Sequence, residues 1–210
     1  MEQNGGKVSY RSNNTDTPEA YEINITLFDA MKESFNKEVS LSVDRYLCIH
    51  TIMLSLEGVP AFYIHSLFGT GNDYALYKQT NHNRSLNRGK IQISELDLSN
   101  QSKSELYIFL ELKKLMLIRK KQPAFHPNAV QFTLHLGKNL YGIWRQSLDK
   151  KQSIFCISNL TDKEVKLSLL DLNLIGFDHW QDLITEIEAD DITSEMILKP
   201  YQTMWLSNNF

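Results

Sequence analysis

The sequence predicts an α/β plus all-β protein, in which helices and one buried strand precede a small antiparallel β domain. Apolar residues recur at helical spacing up to residue 122 and alternate with polar residues after residue 128, and Pro123 and Pro127 mark the change. With 210 residues and 42% hydrophobic content, the chain can form one large or two small domains. We predict a flexible N-terminal segment over residues 1–20, an α/β region over residues 21–125 and the β domain over residues 126–210.

Charge and cysteine content narrow the functional classes. The net charge of −3 arises from 22 basic and 25 acidic residues that are mixed along the chain, so there is no electrostatic basis for binding nucleic acid or an anionic membrane. Cys48 and Cys156 are far apart in sequence and are predicted to be reduced, buried core residues. No signal-peptide pattern opens the sequence, and no apolar run reaches the roughly 20 residues that span a bilayer. We therefore predict a cytoplasmic protein.

A helix is predicted after a polar N-terminal stretch. Residues 1–20 are rich in Asn, Gly, Ser and Thr, which favours a loop or a frayed tail, and residues 21–31 are predicted to be a buried connecting segment. Ser40 or Ser42 can cap a helix that continues to about residue 56. Gly58 ends this helix and Pro60 prevents its continuation.

Residues 61–67 form a short, nearly continuous apolar run between turn signals, which is typical of a strand buried on both faces. Such strands belong to parallel sheets, where ligands bind beyond the carboxyl ends of the strands. The polar loop from Gly69 to Arg88 is therefore the predicted place of the chemistry. His65, near the end of the strand, is equally compatible with the core and with a site.

A second long helix is predicted to begin at the capping box Ser102-Lys103-Ser104-Glu105 and to continue to Gln122. Basic residues crowd its second half, where cations suit the helix dipole, and we interpret them as a solvated helix end. They are Lys113, Lys114, Arg119, Lys120 and Lys121.

In the last third of the sequence, apolar and polar residues alternate with a period of two. Residues 130–146 are predicted to be a hairpin, and residues 153–159, 165–170 and 196–206 are further strand candidates. His126, His135 and His179 are scattered without zinc-site spacing, so we predict no metal and no other cofactor.

Several stretches, in this order along the chain, resemble the sucrose phosphorylase branch of the α-amylase superfamily, glycoside hydrolase family 13. Members that phosphorolyse glucosylglycerate are the most similar. The stretches are residues 20–30 (AYEINITLFDA), 56–64 (LEGVPAFYI), 71–73 (GND), 83–88 (NRSLNR) and 117–125 (LIRKKQPAF). The resemblance extends over most of residues 7–206. It implies that residues 21–125 are the last helix-strand-helix part of a (β/α)8 TIM barrel and that the family's C-terminal β domain follows.

The resemblance also implies an activity. It predicts the C-terminal portion of a retaining glycosyltransferase or phosphorylase, which acts on an α-glucoside of the sucrose or glucosylglycerate type with phosphate to give glucose 1-phosphate. In the family, the nucleophilic aspartate, the acid/base glutamate and a third aspartate precede the region where this sequence starts. Because retaining transfer needs two carboxyl groups roughly 5 Å apart, we predict no catalytic residue here and an inactive isolated chain. A complementing N-terminal barrel portion is the implied partner.

By resemblance, Asp73 and Arg88 line the glucosyl and acceptor sites, and Arg84 lies nearby with Asn72 and Asn87 in the same loop. A guanidinium fork suits both sugar hydroxyls and an incoming phosphate. The alternative for Asp73 is a turn former, since Asp closes turns through its own side chain. The alternative for both arginines is a structural or surface role.

Two other interpretations remain open for the whole chain. One is a carbohydrate-binding or interaction module that has lost the chemistry. The other is a truncated reading frame with an unstable product. Trp144, Trp180 and Trp205 lie at strand-like positions, where they are either core residues or platforms for a sugar ring.

Overall fold

The computed structural model describes residues 2–12, 17–33, 40–91, 104–172, 180–189 and 195–209. The helices are α1 (Leu27–Ala30), α2 (Ser42–Ser55), α3 (Ile64–Phe68), α4 (Tyr74–Thr80) and α5 (Ser104–Lys121). The strands are β1 (Lys7–Arg11), β2 (Glu19–Asn24), β3 (Val130–Leu134), β4 (Leu140–Gln146), β5 (Ser153–Asn159), β6 (Val165–Ser168), β7 (Trp180–Asp182), β8 (Glu188–Ala189), β9 (Glu195–Leu198) and β10 (Thr203–Ser207). Short 3₁₀ helices cover Glu2–Asn4, Asn83–Asn87, Pro123–Phe125 and Leu169–Leu172.

The chain folds as two compact units. The first unit contains Met1–Tyr46 and Phe62–Leu110, and the second contains Leu47–Ala61 and Glu111–Phe210. The division predicted from the sequence, with boundaries after residues 20 and 125, stays a prediction.

The loop or tail predicted for residues 1–20 is wrong, because β1 pairs with β2 in antiparallel register. Polar contacts support this pair: the Asn24 side-chain amide donates to the Ser9 hydroxyl at 2.9 Å, and the Asn83 amide donates to the Val8 carbonyl at 3.1 Å. The prediction that the segment from residue 21 onward is buried is also wrong for its first residues, since Tyr21 and Ile23 of β2 are exposed. The composition of residues 1–20 did not predict the β1–β2 pair, because backbone and amide hydrogen bonds stabilise this pair with little apolar burial.

The buried strand predicted for residues 61–67 is not formed. Residues 59–63 pair with no strand in the described part of the chain, and Val59 is 81% exposed and Tyr63 52% exposed. A strand needs backbone partners on its neighbours, and the described residues supply none at this segment. The chain instead enters α3, which ends at Gly69 with φ +59°, where a Cβ atom would come within 2.5 Å of the Ile108 side chain.

The two long helices are confirmed. Tyr46 and Leu54 of α2 and Ile108 and Leu112 of α5 are fully buried, as the helical apolar spacing predicts. The Ser102-Lys103 half of the capping box lies outside the described residues. The solvated helix end is confirmed for the four lysines, but it is wrong for Arg119, which is only 8% exposed.

Arg119 helps to end α2. One guanidinium nitrogen donates to the Leu54 carbonyl, and the other donates to the Gly58 carbonyl at 3.0 Å. The guanidinium carbon lies 5.1 Å from the centre of the Phe125 ring. Burial lowers the pKa of Arg119, and the charge of Arg145 lowers it further.

Arg145 of β4 contacts the same end of α2 from the β sheet, and it is completely buried. It donates to the Ser55 carbonyl at 2.9 Å and to the His126 carbonyl at 3.0 Å. The carbonyls of Leu54 and Ser55 belong to the last turn of α2, where carbonyls lack helical partners and the helix dipole favours cations. Two buried arginines therefore serve as the C-terminal cap of this helix.

The antiparallel β domain is confirmed. Its main sheet has six strands in the order β3-β4-β5-β10-β7-β8, and β6 pairs with β9 separately. The hairpin at residues 130–146 and the strand at residues 153–159 stand as predicted, whereas residues 196–206 fall into two strands. The core of the unit includes Ile157, Trp180 and Leu206.

Both cysteines are free and buried, as predicted. The Cys48 thiol lies 3.7 Å from the Thr203 hydroxyl and 3.8 Å from the Asn159 carbonyl oxygen. Burial raises the pKa of Cys48, and it raises the pKa of Cys156 to about 12.

Candidate functional site

A cavity of about 410 Å³ lies in the first unit, at the loop that the sequence indicates as the place of the chemistry. It is lined by His65, Thr70, residues 71–75 and residues 89–91. Of the five predicted site residues, Asn72 and Asp73 line this cavity, whereas Arg84, Asn87 and Arg88 do not. The polar lining residues that were not predicted as site residues are Thr70, Tyr74 and Lys90.

Asp73 is fixed at the start of α4. Its Oδ1 accepts a hydrogen bond from the Leu76 backbone amide at 2.8 Å, which makes it the N-cap, and its own backbone amide donates to the Leu86 carbonyl at 2.8 Å. Gly89 lies against the carboxylate, because a Cβ atom at this position would be 3.0 Å from Oδ2. The turn-forming role is therefore present, and Oδ2 is the carboxylate oxygen that the cap does not use.

We expect the cap to be measurable in the isolated chain. Asp73→Ala removes the acceptor of the Leu76 amide and should lower the free energy of unfolding by about 1 kcal/mol, as the loss of a helix N-cap typically does. Asp73→Asn keeps a capping oxygen and should cost only a few tenths of that energy. Urea denaturation of both variants checks this, and equal losses in the two would contradict the capping role.

Asn72 is a structural brace. Its Oδ1 accepts from the Thr26 backbone amide at 2.8 Å, its backbone amide donates to Asp29 Oδ2 at 2.6 Å, and its side-chain amide donates to the Tyr74 hydroxyl at 3.2 Å. These contacts hold the loop against the start of α1, whose N-cap is Thr26. They use one of the two lone pairs of Oδ1 and one of the two side-chain N–H groups.

The two arginines of the loop have different surroundings. Arg84 donates from Nε to Glu22 Oε2 at 2.8 Å in an ion pair. Arg88 ends the 3₁₀ helix at Asn83–Asn87 and is exposed, and across the described ranges its side chain makes no hydrogen bond or ion pair. Arg88 is thus the loop arginine whose guanidinium is available.

Asn87 and His65 contribute buried polar atoms. The Asn87 carbonyl accepts from the Tyr63 hydroxyl at 3.3 Å, while its side-chain Oδ1 is buried and has no partner among the described residues. His65 is 8% exposed, and its Nδ1 lies 2.8 Å from the Thr70 hydroxyl oxygen. Burial lowers the pKa of His65, while a backbone hydrogen bond with Gly89 and the charge of Asp73 raise it in part. His65 therefore combines both predicted roles, since it is buried and also lines the cavity.

Within the described ranges, His, Cys, Asp and Glu side chains form no group of three or more that could hold a metal ion. In the described part of the chain, no helix combines the length and the apolar character needed to cross a bilayer.

Solved structures with this fold belong to the α-amylase superfamily. Sucrose 6F-phosphate phosphorylase from Thermoanaerobacter thermosaccharolyticum matches with a TM-score of 0.58 and 23% identity, over 77% of this chain and 31% of that chain. An Anoxybacillus alpha-amylase matches with a TM-score of 0.56 and 16% identity, over 80% of this chain and 33% of that chain. The predicted fold class, the C-terminal remnant of a TIM barrel followed by an antiparallel β domain, is thereby confirmed.

Proteins of similar sequence indicate the branch of this superfamily to which the chain is related. The glucosylglycerate phosphorylase of Escherichia coli is 32% identical over 98% of this chain and 35% of its own length, and that of Allomeiothermus silvanus is 34% identical over 97% and 34%. No family model matches. The chain is homologous to the C-terminal part of the sucrose phosphorylase-like branch of glycoside hydrolase family 13. It spans about a third of the length of the curated relatives that it matches.

Proposed function

We propose that the chain is the C-terminal portion of a retaining glucosyl phosphorylase. The complete enzyme would act on an α-glucoside of the sucrose or glucosylglycerate type with phosphate to give glucose 1-phosphate. The observation that carries the proposal is the alignment of nearly the whole chain with glucosylglycerate phosphorylases from several organisms. The remainder of the barrel, on the same or a separate polypeptide, is its complementing partner.

The loop after α3 supplies the proposed part of the sugar and phosphate site. Arg88 is exposed, and Lys90 lines the cavity beside Gly89 and the Asp73 carboxylate. A guanidinium and an ammonium can bind phosphate oxygens, while Asp73 Oδ2 can accept a hydrogen bond from a sugar hydroxyl. Arg84 and Asn87 support this loop from the 3₁₀ helix in which both lie.

The carboxylates near the cavity support a binding role and not the role of a catalytic pair. Asp73 accepts from the Leu76 amide and Asp29 accepts from the Asn72 amide, so both hold backbone in place. Retaining transfer needs one carboxylate as nucleophile and one carboxylic acid as proton donor, on either side of the anomeric carbon. We propose that these groups come from the complementing part of the barrel.

The isolated chain should therefore show no phosphorolysis. We expect no glucose 1-phosphate from sucrose or glucosylglycerate with phosphate, in an assay where full-length Escherichia coli glucosylglycerate phosphorylase is the positive control. Glucose 1-phosphate well above background, abolished by Asp73→Ala, would contradict the proposal, because the chain would then contain its own catalytic pair.

A further inference from the structure

A second cavity lies in the second unit, between the end of α5 and the residues that follow α2. Its volume is about 540 Å³, which is within the range of about 300–1,000 Å³ found for small-molecule sites. The last turns of α5, residues 58–60 and the turn around the 3₁₀ helix Pro123–Phe125 build its wall. All of its lining residues belong to the second unit, and none of them lines the cavity at the loop after α3. The two cavities are therefore separate.

The ionisable side chains on this wall are all basic. They are Arg119, Lys120, Lys121 and His126, and no acidic side chain of the described residues joins them. The two lysines and the histidine are exposed, whereas Arg119 is only 8% exposed. His126 Nδ1 accepts from the Asn128 backbone amide at 3.2 Å, so the neutral imidazole carries its proton on Nε2 and is a donor there. The wall therefore presents three positive charges and one further N–H donor.

Arg119 is a buried charge that lacks a carboxylate partner. Its guanidinium donates to the Leu54 and Gly58 carbonyls, and within the described ranges it forms no ion pair. The charge of Arg145, which is also buried, acts on Arg119 and adds to the positive field. Buried charges in proteins are usually paired, so the field at this wall favours an anion in the cavity.

The rest of the wall is mostly apolar. Val59 is 81% exposed, although it is an apolar side chain on the wall of a cavity. A bare inorganic anion would leave this part of the wall in contact with water, whereas an organic group would cover it and remove apolar surface from water. The apolar lining residues are Leu54, Val59, Pro60, Met116, Pro123, Phe125 and Pro127.

We propose that this cavity binds a phosphate monoester with an apolar organic body. The phosphate group carries roughly 1.5 to 2 negative charges at pH 7, which match three cations better than the single charge of a carboxylate. Lys120, Lys121 and His126 Nε2 donate to the phosphate oxygens, and Arg119 contributes its buried charge. The organic body lies against Val59 and the prolines. This site lies outside the loop after α3 and goes beyond the proposed function.

Nuclear magnetic resonance of the complete chain tests the proposal, with phenyl phosphate as the probe. The chain has 6 histidines, and each imidazole gives its own signals. Titration with phenyl phosphate should shift the His126 signals, which His126→Gln identifies by their loss. The His50 signals are an internal control and should stay fixed, because His50 is 3% exposed and does not line the cavity.

Two further probes separate the two parts of the ligand. Inorganic phosphate should bind about tenfold more weakly than phenyl phosphate, because it leaves the apolar wall uncovered. Benzyl alcohol has no phosphate group and should leave the His126 signals fixed. Equal affinities for inorganic phosphate and phenyl phosphate, or binding of benzyl alcohol as tight as that of phenyl phosphate, would contradict the proposed ligand class.

Matched variants locate the binding. Lys121 is exposed, so Lys121→Met should fold normally and should raise the dissociation constant for phenyl phosphate about tenfold, the effect of losing one hydrogen bond to a charged group. Lys113→Met removes an exposed cation of α5 outside the cavity and should change nothing. Arg88→Ala should also leave this affinity unchanged, which separates the site from the proposed active-site loop. His126 signals that stay fixed throughout the titration, or an unchanged dissociation constant in Lys121→Met, would overturn the proposal.

Discussion

Replacing the arginine that corresponds to Arg88 by alanine in a full-length glucosylglycerate phosphorylase should lower turnover about 30- to 1,000-fold. A charged contact made in the transition state is typically worth about 2–4 kcal/mol. The melting temperature should stay nearly fixed, because Arg88 is exposed and its side chain has no partner within the described ranges. Substitution of such a residue usually changes stability by less than about 0.5 kcal/mol.

A chimera gives this experiment its control. It joins the N-terminal part of the Escherichia coli enzyme to this chain, so that Arg88→Ala and Lys78→Ala can be compared directly. Lys78 is an exposed cation of α4 that does not line the cavity, and its loss should leave turnover unchanged. Unchanged turnover in Arg88→Ala, or a decrease that follows the loss of folded protein, would rule out Arg88 as a site residue.

Arg145→Met should lower the free energy of unfolding by about 2–4 kcal/mol. The substitution removes the donor for the buried Ser55 carbonyl and the partly buried His126 carbonyl, and a buried acceptor left without a partner costs about 1–3 kcal/mol. The lower desolvation cost of methionine offsets part of this loss. Urea denaturation followed by tryptophan fluorescence measures the change, since Trp205 donates to the Ser55 hydroxyl beside the contact.

Two further variants make this measurement specific. Arg145→Lys keeps the charge, but one ammonium group cannot span both carbonyls as the guanidinium fork does, so it should restore only part of the stability. Lys120→Met removes an exposed cation next to Arg119 in α5 and should cost less than about 0.5 kcal/mol. An Arg145→Met variant as stable as the Lys120→Met variant would show that the buried cap contributes nothing.

Local patterns predicted the elements whose stability depends on their own apolar face. The apolar spacing in α2 and α5 identifies the buried side of each helix without knowledge of the rest of the chain. The alternation at residues 130–136 predicted the strand β3, although its apolar residues Val130 and Phe132 are 43% and 45% exposed. The strand predicted at residues 61–67 depends on partners instead, and its composition says nothing about whether they are present. Arg145 was missed for a related reason, because in an alternating strand an arginine is usually interpreted as facing solvent.

The sequence indicated the loop of the candidate cavity but not the contacts of its residues. The resemblance named Asn72 and Asp73 in the loop after α3, and both line the cavity there, while their role as site residues stays a prediction. It could not show that Asn72 is hydrogen-bonded to Thr26 and Asp29, because these hydrogen bonds join residues far apart in sequence. Nor could it separate Arg84, which is paired with Glu22, from Arg88.

The reactivity of the two buried thiols reports on the local opening of the second unit. Cys48 and Cys156 are the chain's 2 cysteines, and both are enclosed in this unit. Only a thiolate reacts with an alkylating or disulfide reagent, and burial suppresses the thiolate while the surrounding residues exclude the reagent. Each labelling event therefore requires the unit to open, and under native conditions the labelling rate of each cysteine measures the free energy of the opening that exposes it.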